Sequence, residues 1–219
     1  MRTALITLNF VMVSIYCFAK NHDTIRFIST SKIDGVKYQA VGYSSGMIVI
    51  ETAGGKVVLS LKRSEQFDFG NFGIFQFIDF NHDGFKDILI PYITNALGIC
   101  DLLLYNKHAH TFTQVRNFYL FPSAVHIPHS KYYYSYHRSG CADSNWDSDL
   151  FKIVSFKTIG IGNIKALKCG GKEGIFITKI KGNTVKPHKQ LPISTINHHK
   201  RYKWGFIREY WMHHYKEFK

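Results

Sequence analysis

Residues 77–90 read FIDFNHDGFKDILI, and their acids and amide fall on alternate positions. Asp79, Asn81 and Asp83 occupy places one, three and five of a loop. Gly84 stands at place six, Phe85 at seven and Asp87 at nine. Carboxylates crowded in this way repel one another unless a cation sits among them. Ca2+ takes six to eight hard oxygen ligands, and a tight loop supplies them from alternating residues, with glycine at the sixth place for the sharp turn. The spacing therefore predicts a Ca2+ site built from the side chains of Asp79, Asn81, Asp83 and Asp87 and the backbone carbonyl of Phe85. Mg2+ suits it less well, because that ion dehydrates reluctantly and rarely uses an all-protein cage. Without a metal, the same residues make a polar turn whose Asp and Asn side chains bond their own backbone. The loop is not an ordinary EF-hand: place twelve is Ile90, where a bidentate glutamate belongs, and the flanking residues read as strands.

A second acidic run, GCADSNWDSDLFKI, alternates Asp143, Asn145, Asp147 and Asp149, with Ser148 where the glycine would stand. Three readings compete for it. It is a second metal site, a hydrogen-bonded loop clamped by Cys141, or a recognition loop led by Trp146.

Marks of an enzyme are missing. The chain has no Gly-x-Ser-x-Gly elbow, no His-Glu-x-x-His and no phosphate-binding glycine loop. Its 12 histidines include His108-x-His110, His198-His199 and His213-His214. Adjacent histidines diverge in a strand and these have hydrophilic neighbours, so surface roles outweigh a zinc site. A glycosidase needs only two acids at the right separation, but the acids here gather in calcium-type runs. Cys141 as a nucleophile would need a nearby base and a reducing setting. The expectation is a non-enzymatic protein.

The elements that must position these residues are mostly strands. MIVIETAGGKVVLSL is two β-branched runs around Gly54-Gly55, a hairpin signature. GIFQFIDF and DILIPYI flank the first acidic loop, and CDLLLYNKHAHTFTQV, KYYYSYHR, DLFKIVSFKTIG and EGIFITKIKGNTVKPH continue the pattern. Strands recurring at short intervals with Gly, Asn or Asp between them predict an all-β fold. It is a small β-propeller-like body or an irregular sandwich of short antiparallel strands. RYKWGFIREYWMHHYKEFK at the end reads as a short basic helix, or as a last strand with a basic tail.

The start of the chain sets the compartment. Arg2 precedes an apolar run over residues 4–19 that ends with Cys17 and Ala19, small residues at the two places signal peptidase inspects. This predicts a signal peptide over residues 1–19 and a single mature domain over 20–219. The run is short for a bilayer core, which needs about 20 apolar residues, and no later segment is long and apolar enough to span a membrane. The predicted location is periplasmic or secreted, where disulfides persist. Of the remaining cysteines, Cys100 sits in the apolar run ALGICDLLLY and reads as a buried small hydrophobe. Cys141 and Cys169 each lie beside glycine in turn-like sequence and are expected to pair.

Charge is segregated along the chain. The formal net charge is +13, and from Lys152 onward there are 15 Lys and Arg against 3 Asp and Glu. Either this is a solvated face, or the partner is anionic: a lipid or cell-wall surface, a glycan, or an acidic protein. An exported protein meets little nucleic acid, so none is expected. Trp146, Trp204, Arg208 and Trp211 are candidate anchors for a protein partner, being of the types that dominate interfaces.

Taken together, FIDFNHDGFKDILIP, CDLLLYNKHAHTF and YYYSYHRSGCADSNWDSDLFKI resemble exported bacterial proteins with VCBS- or FG-GAP-like calcium motifs, over roughly residues 70–170. Some members of that family are periplasmic immunity proteins that inhibit lysozyme-like, peptidoglycan-cleaving effectors of type IV secretion systems. The resemblance implies a small β-propeller-like fold, bound Ca2+ at Asp79, Asn81, Asp83, Phe85 and Asp87, and a periplasmic location. It also implies a peptidoglycan hydrolase as partner. The alternative is a calcium-dependent carbohydrate- or surface-binding module in adhesion.

Overall fold

Strands that alternate apolar and polar residues have one face to bury, whereas strands apolar on both faces must be covered twice. Both kinds occur in the computed structural model, which describes residues 23–62 and 73–219. The predicted signal segment, residues 1–19, lies outside the described residues. The first sheet is a meander of β1 (Ile25–Ile33), β2 (Val36–Tyr43), β3 (Met47–Thr52) and β4 (Val57–Lys62). The second is a meander of β5 (Gln76–Ile78), β6 (Asp87–Pro91), β7 (Cys100–Asn106) and β8 (Thr111–Gln114).

The third sheet has seven strands: β9 (Val125–His126), β10 (Tyr132–Tyr134), β11 (His137–Gly140), β12 (Asn145–Val154), β13 (Lys157–Leu167), β14 (Gly174–Lys181) and β15 (Thr184–Leu191). Its order is β15-β14-β13-β12-β10-β9, with β11 also on β12, and every pair is antiparallel. Helix α1 (Lys203–His214) follows, running into a 3-10 turn at Tyr215–Phe218.

Three apolar cores join these layers in series. Ile48 and Ile50 of the first sheet meet Ile88, Leu103 and Tyr105 of the second. On the other face of the second sheet, Leu102 and Leu104 meet Tyr133 and Phe151 of the third. The next pair of faces buries Tyr132, Tyr134, Trp146, Leu150 and Ile164 against Phe206, Ile207, Tyr210 and Trp211 of α1. This explains two runs without alternation: residues 101–105 of β7 and YYY in β10 are buried throughout because both of their faces are covered.

Among the described residues the fold is thus mostly β, with three antiparallel sheets, no closed barrel and a helix near the C-terminal end, the helical form of the expected basic tail. The propeller form of the expectation gives way. A propeller repeats four-stranded blades, and here two four-stranded meanders are followed by a seven-stranded sheet capped by a helix.

Two expected surface anchors are corrected by the same packing. Trp146 and Trp211 are buried, at 1% and 0% exposure, on facing sides of the sheet–helix core. Trp146 follows the strand alternation that sends Asn145, Asp147 and Asp149 to one face and Trp146, Ser148 and Leu150 to the other. Trp211 donates its indole N–H to Ser148 Oγ at 2.8 Å, which satisfies the one polar atom that burial would leave stranded. Truncating a tryptophan so placed costs about 3–5 kcal/mol. Neither ring is available to a partner.

Candidate calcium loop and binding face

The first acidic run forms the turn between β5 and β6, whose register pairs Ile78 with Asp87. Two phenylalanines fix it to opposite faces of the second sheet. Phe80 stacks on Tyr133 with ring centroids 5.2 Å apart and stands edge-on to Phe118. Phe85 packs against the core on the other face. Gly84 has φ +92°, a left-handed conformation that glycine adopts without steric cost.

Within the turn, polar side chains wrap onto backbone amides. Asp79 accepts the N–H of Asp83 and of Gly84, each at 3.0 Å. Asn81 Oδ1 accepts the N–H of Asp83 at 3.1 Å. Asp83 accepts the Phe85 N–H at 2.9 Å and the Asn81 amide at 2.9 Å. A carboxylate or amide oxygen carries two lone pairs, so oxygens engaged once keep capacity for a cation.

Asp87 is placed apart from the rest. It is fully buried, and its two oxygens accept the N–H of Tyr105 at 2.9 Å and of Phe80 at 3.1 Å. Burial pushes its carboxyl up to about 7, against the pull of those two amides and with the help of the Asp83 charge. Asp87 therefore braces the start of the turn against β7. The donor set that fits Ca2+ chemically is Asp79, Asn81, Asp83 and the Phe85 carbonyl, all hard oxygens on one short turn. Among the described residues, no three His, Cys, Asp or Glu side chains already converge as a metal site. Beside the turn, His82 lies over His126 with centroids 4.7 Å apart. Burial holds His126 below its ordinary value.

The second run does not gather its acids. Asp143 lies in a 3-10 turn, Cys141–Asp143, whose three residues all have positive φ. There it accepts Lys203 Nζ at 2.7 Å and the Tyr136 hydroxyl, with Arg138 Nε 3.6 Å away. Burial alone would raise the Asp143 carboxyl, but these donors outweigh it and hold it below the usual carboxylate range. Asn145 accepts the N–H of Lys168 at 2.8 Å and donates to the Cys169 carbonyl at 3.0 Å. Asp149 takes Asn163 at 2.8 Å and His137 at 3.3 Å. An extended strand also spreads alternate side chains about 7 Å apart. Asp143, Asn145 and Asp149 are thus engaged by separate protein groups, and the second metal site suggested for Asp143, Asn145, Asp147 and Asp149 is not assembled among the described residues.

Cys141 and Cys169 form a disulfide. Together with the Asn145 bonds, it ties the turn before β12 to the end of β13. The bracing role of Lys203 and Tyr136 had no local signal in the sequence. Lys203 lies 67 residues from Tyr136 and 60 from Asp143, and only the fold brings them together.

The other two expected anchors are on the outer side of α1. Trp204 is 45% exposed and packs on Tyr136 with centroids 4.1 Å apart. Arg208 is exposed one turn later, on the same side of the helix. With Lys200, Arg201, Met212 and His213 they line a shallow hollow of about 360 Å³. Among the described residues, no helix is long and apolar enough to cross a membrane.

No protein family profile matches the sequence, and no curated protein is similar to it. Among solved structures, the chain is similar to one described as "Structure of a Xanthomonas Type IV Secretion System related protein". The TM-score is 0.47 and the identity 11%, over 74% of this chain and 93% of that one. No residue of this chain takes a role from that likeness.

Proposed function

We propose that the chain is an exported, non-enzymatic, calcium-stabilised binding protein that inhibits a lysozyme-like peptidoglycan hydrolase. The observation that carries the calcium part is the turn over residues 79–85. It curls three oxygen-bearing side chains around one glycine-enabled bend, between two aromatic anchors. A cation there would offset the repulsion of Asp79 and Asp83 and lock the β5–β6 connection, which joins two of the three cores. The choice of target rests on the sequence resemblance to periplasmic immunity proteins. The Cys141–Cys169 disulfide supports an oxidising compartment. The exposed Trp204 and Arg208 supply the aromatic and guanidinium groups that anchor protein interfaces.

The test is capture from a periplasmic extract followed by a cell-wall clearing assay. A lysozyme-like hydrolase is expected in the eluate, and clearing is expected to stop at equimolar protein with Ca2+ present. Trp204→Ala is expected to weaken inhibition by about tenfold or more, the loss of a hot-spot residue. Undiminished clearing at saturating protein overturns the inhibitor reading. Retention on glycan beads with no hydrolase captured would favour the adhesion module instead.

A further inference from the structure

Beyond the last turn of α1, the helix side of the third sheet is uncovered. The cover stops at Phe218, whose ring lies so close to Gly162 that an added Cβ would come within 2.5 Å of it. Next to this plug is a groove of about 560 Å³. Ile159 and Phe218 are apolar parts of its lining, and Lys152, Lys179, Lys181 and Lys186 make it cationic.

Strand register brings these lysines together. Lys152 pairs with Ile159 across β12 and β13, while Lys179 pairs with Lys186 and Lys181 with Thr184 across β14 and β15. Like charges directly opposite on neighbouring strands destabilise a sheet, so folding alone gives no reason for Lys179 to face Lys186. Among the described residues, none of these four lysines is ion-paired with a carboxylate. Glu217, the acid in the groove lining, is engaged by His214 at 2.6 Å and His188 at 2.9 Å, and both hold its carboxyl below the ordinary range. Lys179 Nζ lies 5.5 Å from the centre of the Phe218 ring, a cation–π contact that holds the ammonium at the groove.

The geometry points to a binding site for a compact phosphate-bearing ligand. Lysine ammonium groups meet phosphate as point charges, and Ile159 and Phe218 provide an apolar surface for the remainder of the molecule. The volume suits a head group or small molecule. A strand added to the edge is disfavoured, because β15 carries Pro187, which has no N–H, and the exposed Lys186 and Lys189. The site stands apart from the Trp204–Arg208 face and does not depend on the inhibitory role.

Two probes distinguish the source of the phosphate: inorganic pyrophosphate in calorimetry, and phosphatidylglycerol vesicles in co-sedimentation, with phosphatidylcholine vesicles as blank. Each is run on the parent protein, on Lys179→Gln/Lys186→Gln, and on Lys165→Gln/Lys172→Gln, which removes equal charge elsewhere. Melting curves check that both variants fold. The expected result is salt-sensitive binding that the groove pair weakens by about tenfold or more, since two of its cationic groups are removed. The control pair is expected to leave binding within about twofold of the parent. Groove-dependent binding of pyrophosphate alone supports the site and assigns it to a soluble phosphate compound; groove-dependent vesicle binding supports it and assigns a lipid head group. Equal weakening by both pairs overturns the proposal as diffuse charge, and so does failure of the parent to bind either probe.

Discussion

The chain contains two runs that open with the same Asp-x-Asn-x-Asp spacing, DFNHDGFKD over residues 79–87 and DSNWDSD over 143–149, and they fold differently. In the first, Gly84 takes a positive φ and the side chains of Asp79, Asn81 and Asp83 curl around the backbone of one turn. In the second, the sixth residue is Ser148, buried and bonded to the Ser135 carbonyl and the Trp211 indole, and the chain is drawn straight into β12. Alternating acids make a candidate cation loop only where the backbone can bend back on itself. Where it is extended, the acids stay apart: Asp143 is held by Lys203 in the turn before the strand, and Asp149 by His137 and Asn163 within it.

The disulfide offers the largest test of this contrast. Cys141 and Cys169 are 28 residues apart in sequence. Closing a loop of that size removes unfolded-state entropy worth about 3–4 kcal/mol in the chain-entropy description. Cys141→Ser/Cys169→Ser is expected to lower stability by that order in urea denaturation. It should leave the difference between calcium and chelator unchanged, because the first loop is elsewhere. A calcium effect that vanished with the disulfide would contradict the separation of the two runs.

Next comes the exchange between the runs themselves. Calcium at 100 times its dissociation constant stabilises a protein by about 2.7 kcal/mol when the unfolded chain does not bind it. Asp83→Ala is expected to abolish most of that gain in thermal melts, while Asp147→Asn, one position of the extended run, should keep it. Equal melting temperatures of the parent protein in calcium and in chelator would end the calcium reading. Loss of the gain in Asp147→Asn would restore a metal role to the second run.

Much of the architecture is legible in the sequence. The Gly54-Gly55 hairpin is the β3–β4 connection, with Gly55 at φ +79°, and the runs on both sides of residues 79–87 are β5 and β6. The pairing of Cys141 with Cys169 followed from their turn-like neighbours. The acids beside Trp146 suggest an interface anchor, yet a two-residue period over 145–150 separates Trp146, Ser148 and Leu150 from Asn145, Asp147 and Asp149. The helix was ambiguous because cations and histidines interrupt its apolar face. Its buried stripe is nevertheless visible as Phe206 with Tyr210 and Ile207 with Trp211, each pair four residues apart. The fate of Asp87 was not legible. Its neighbours in sequence suggest a ligand, and only the placement of β7 brings the Tyr105 amide to its side chain.

The smallest expected effect concerns pH and the second run. His137 Nε2 lies 3.3 Å from Asp149 Oδ2, and that hydrogen bond raises the imidazole above its ordinary value, outweighing burial, with Asp149 and Asp147 charges adding to the rise. A folded pKa above the unfolded value of about 6.5 means that the pair contributes fully below that pH. The contribution is lost as pH climbs through the raised folded value. His137 is partly exposed, so solvent screening keeps the contribution under about 1 kcal/mol. His137→Gln should therefore lower the melting temperature slightly near pH 5.5 and not near pH 8.5, flattening the acid side of the profile between those limits at about one unit below and two above the ordinary imidazole value. A metal held by Asp147 and Asp149 would act with the opposite sign, since it needs unprotonated ligands and gains hold as pH rises. Melting profiles of parent and variant, each with calcium and with chelator, tell the two apart. A calcium-dependent rise in stability on the alkaline side that His137→Gln enhances would mean that the extended run binds metal after all.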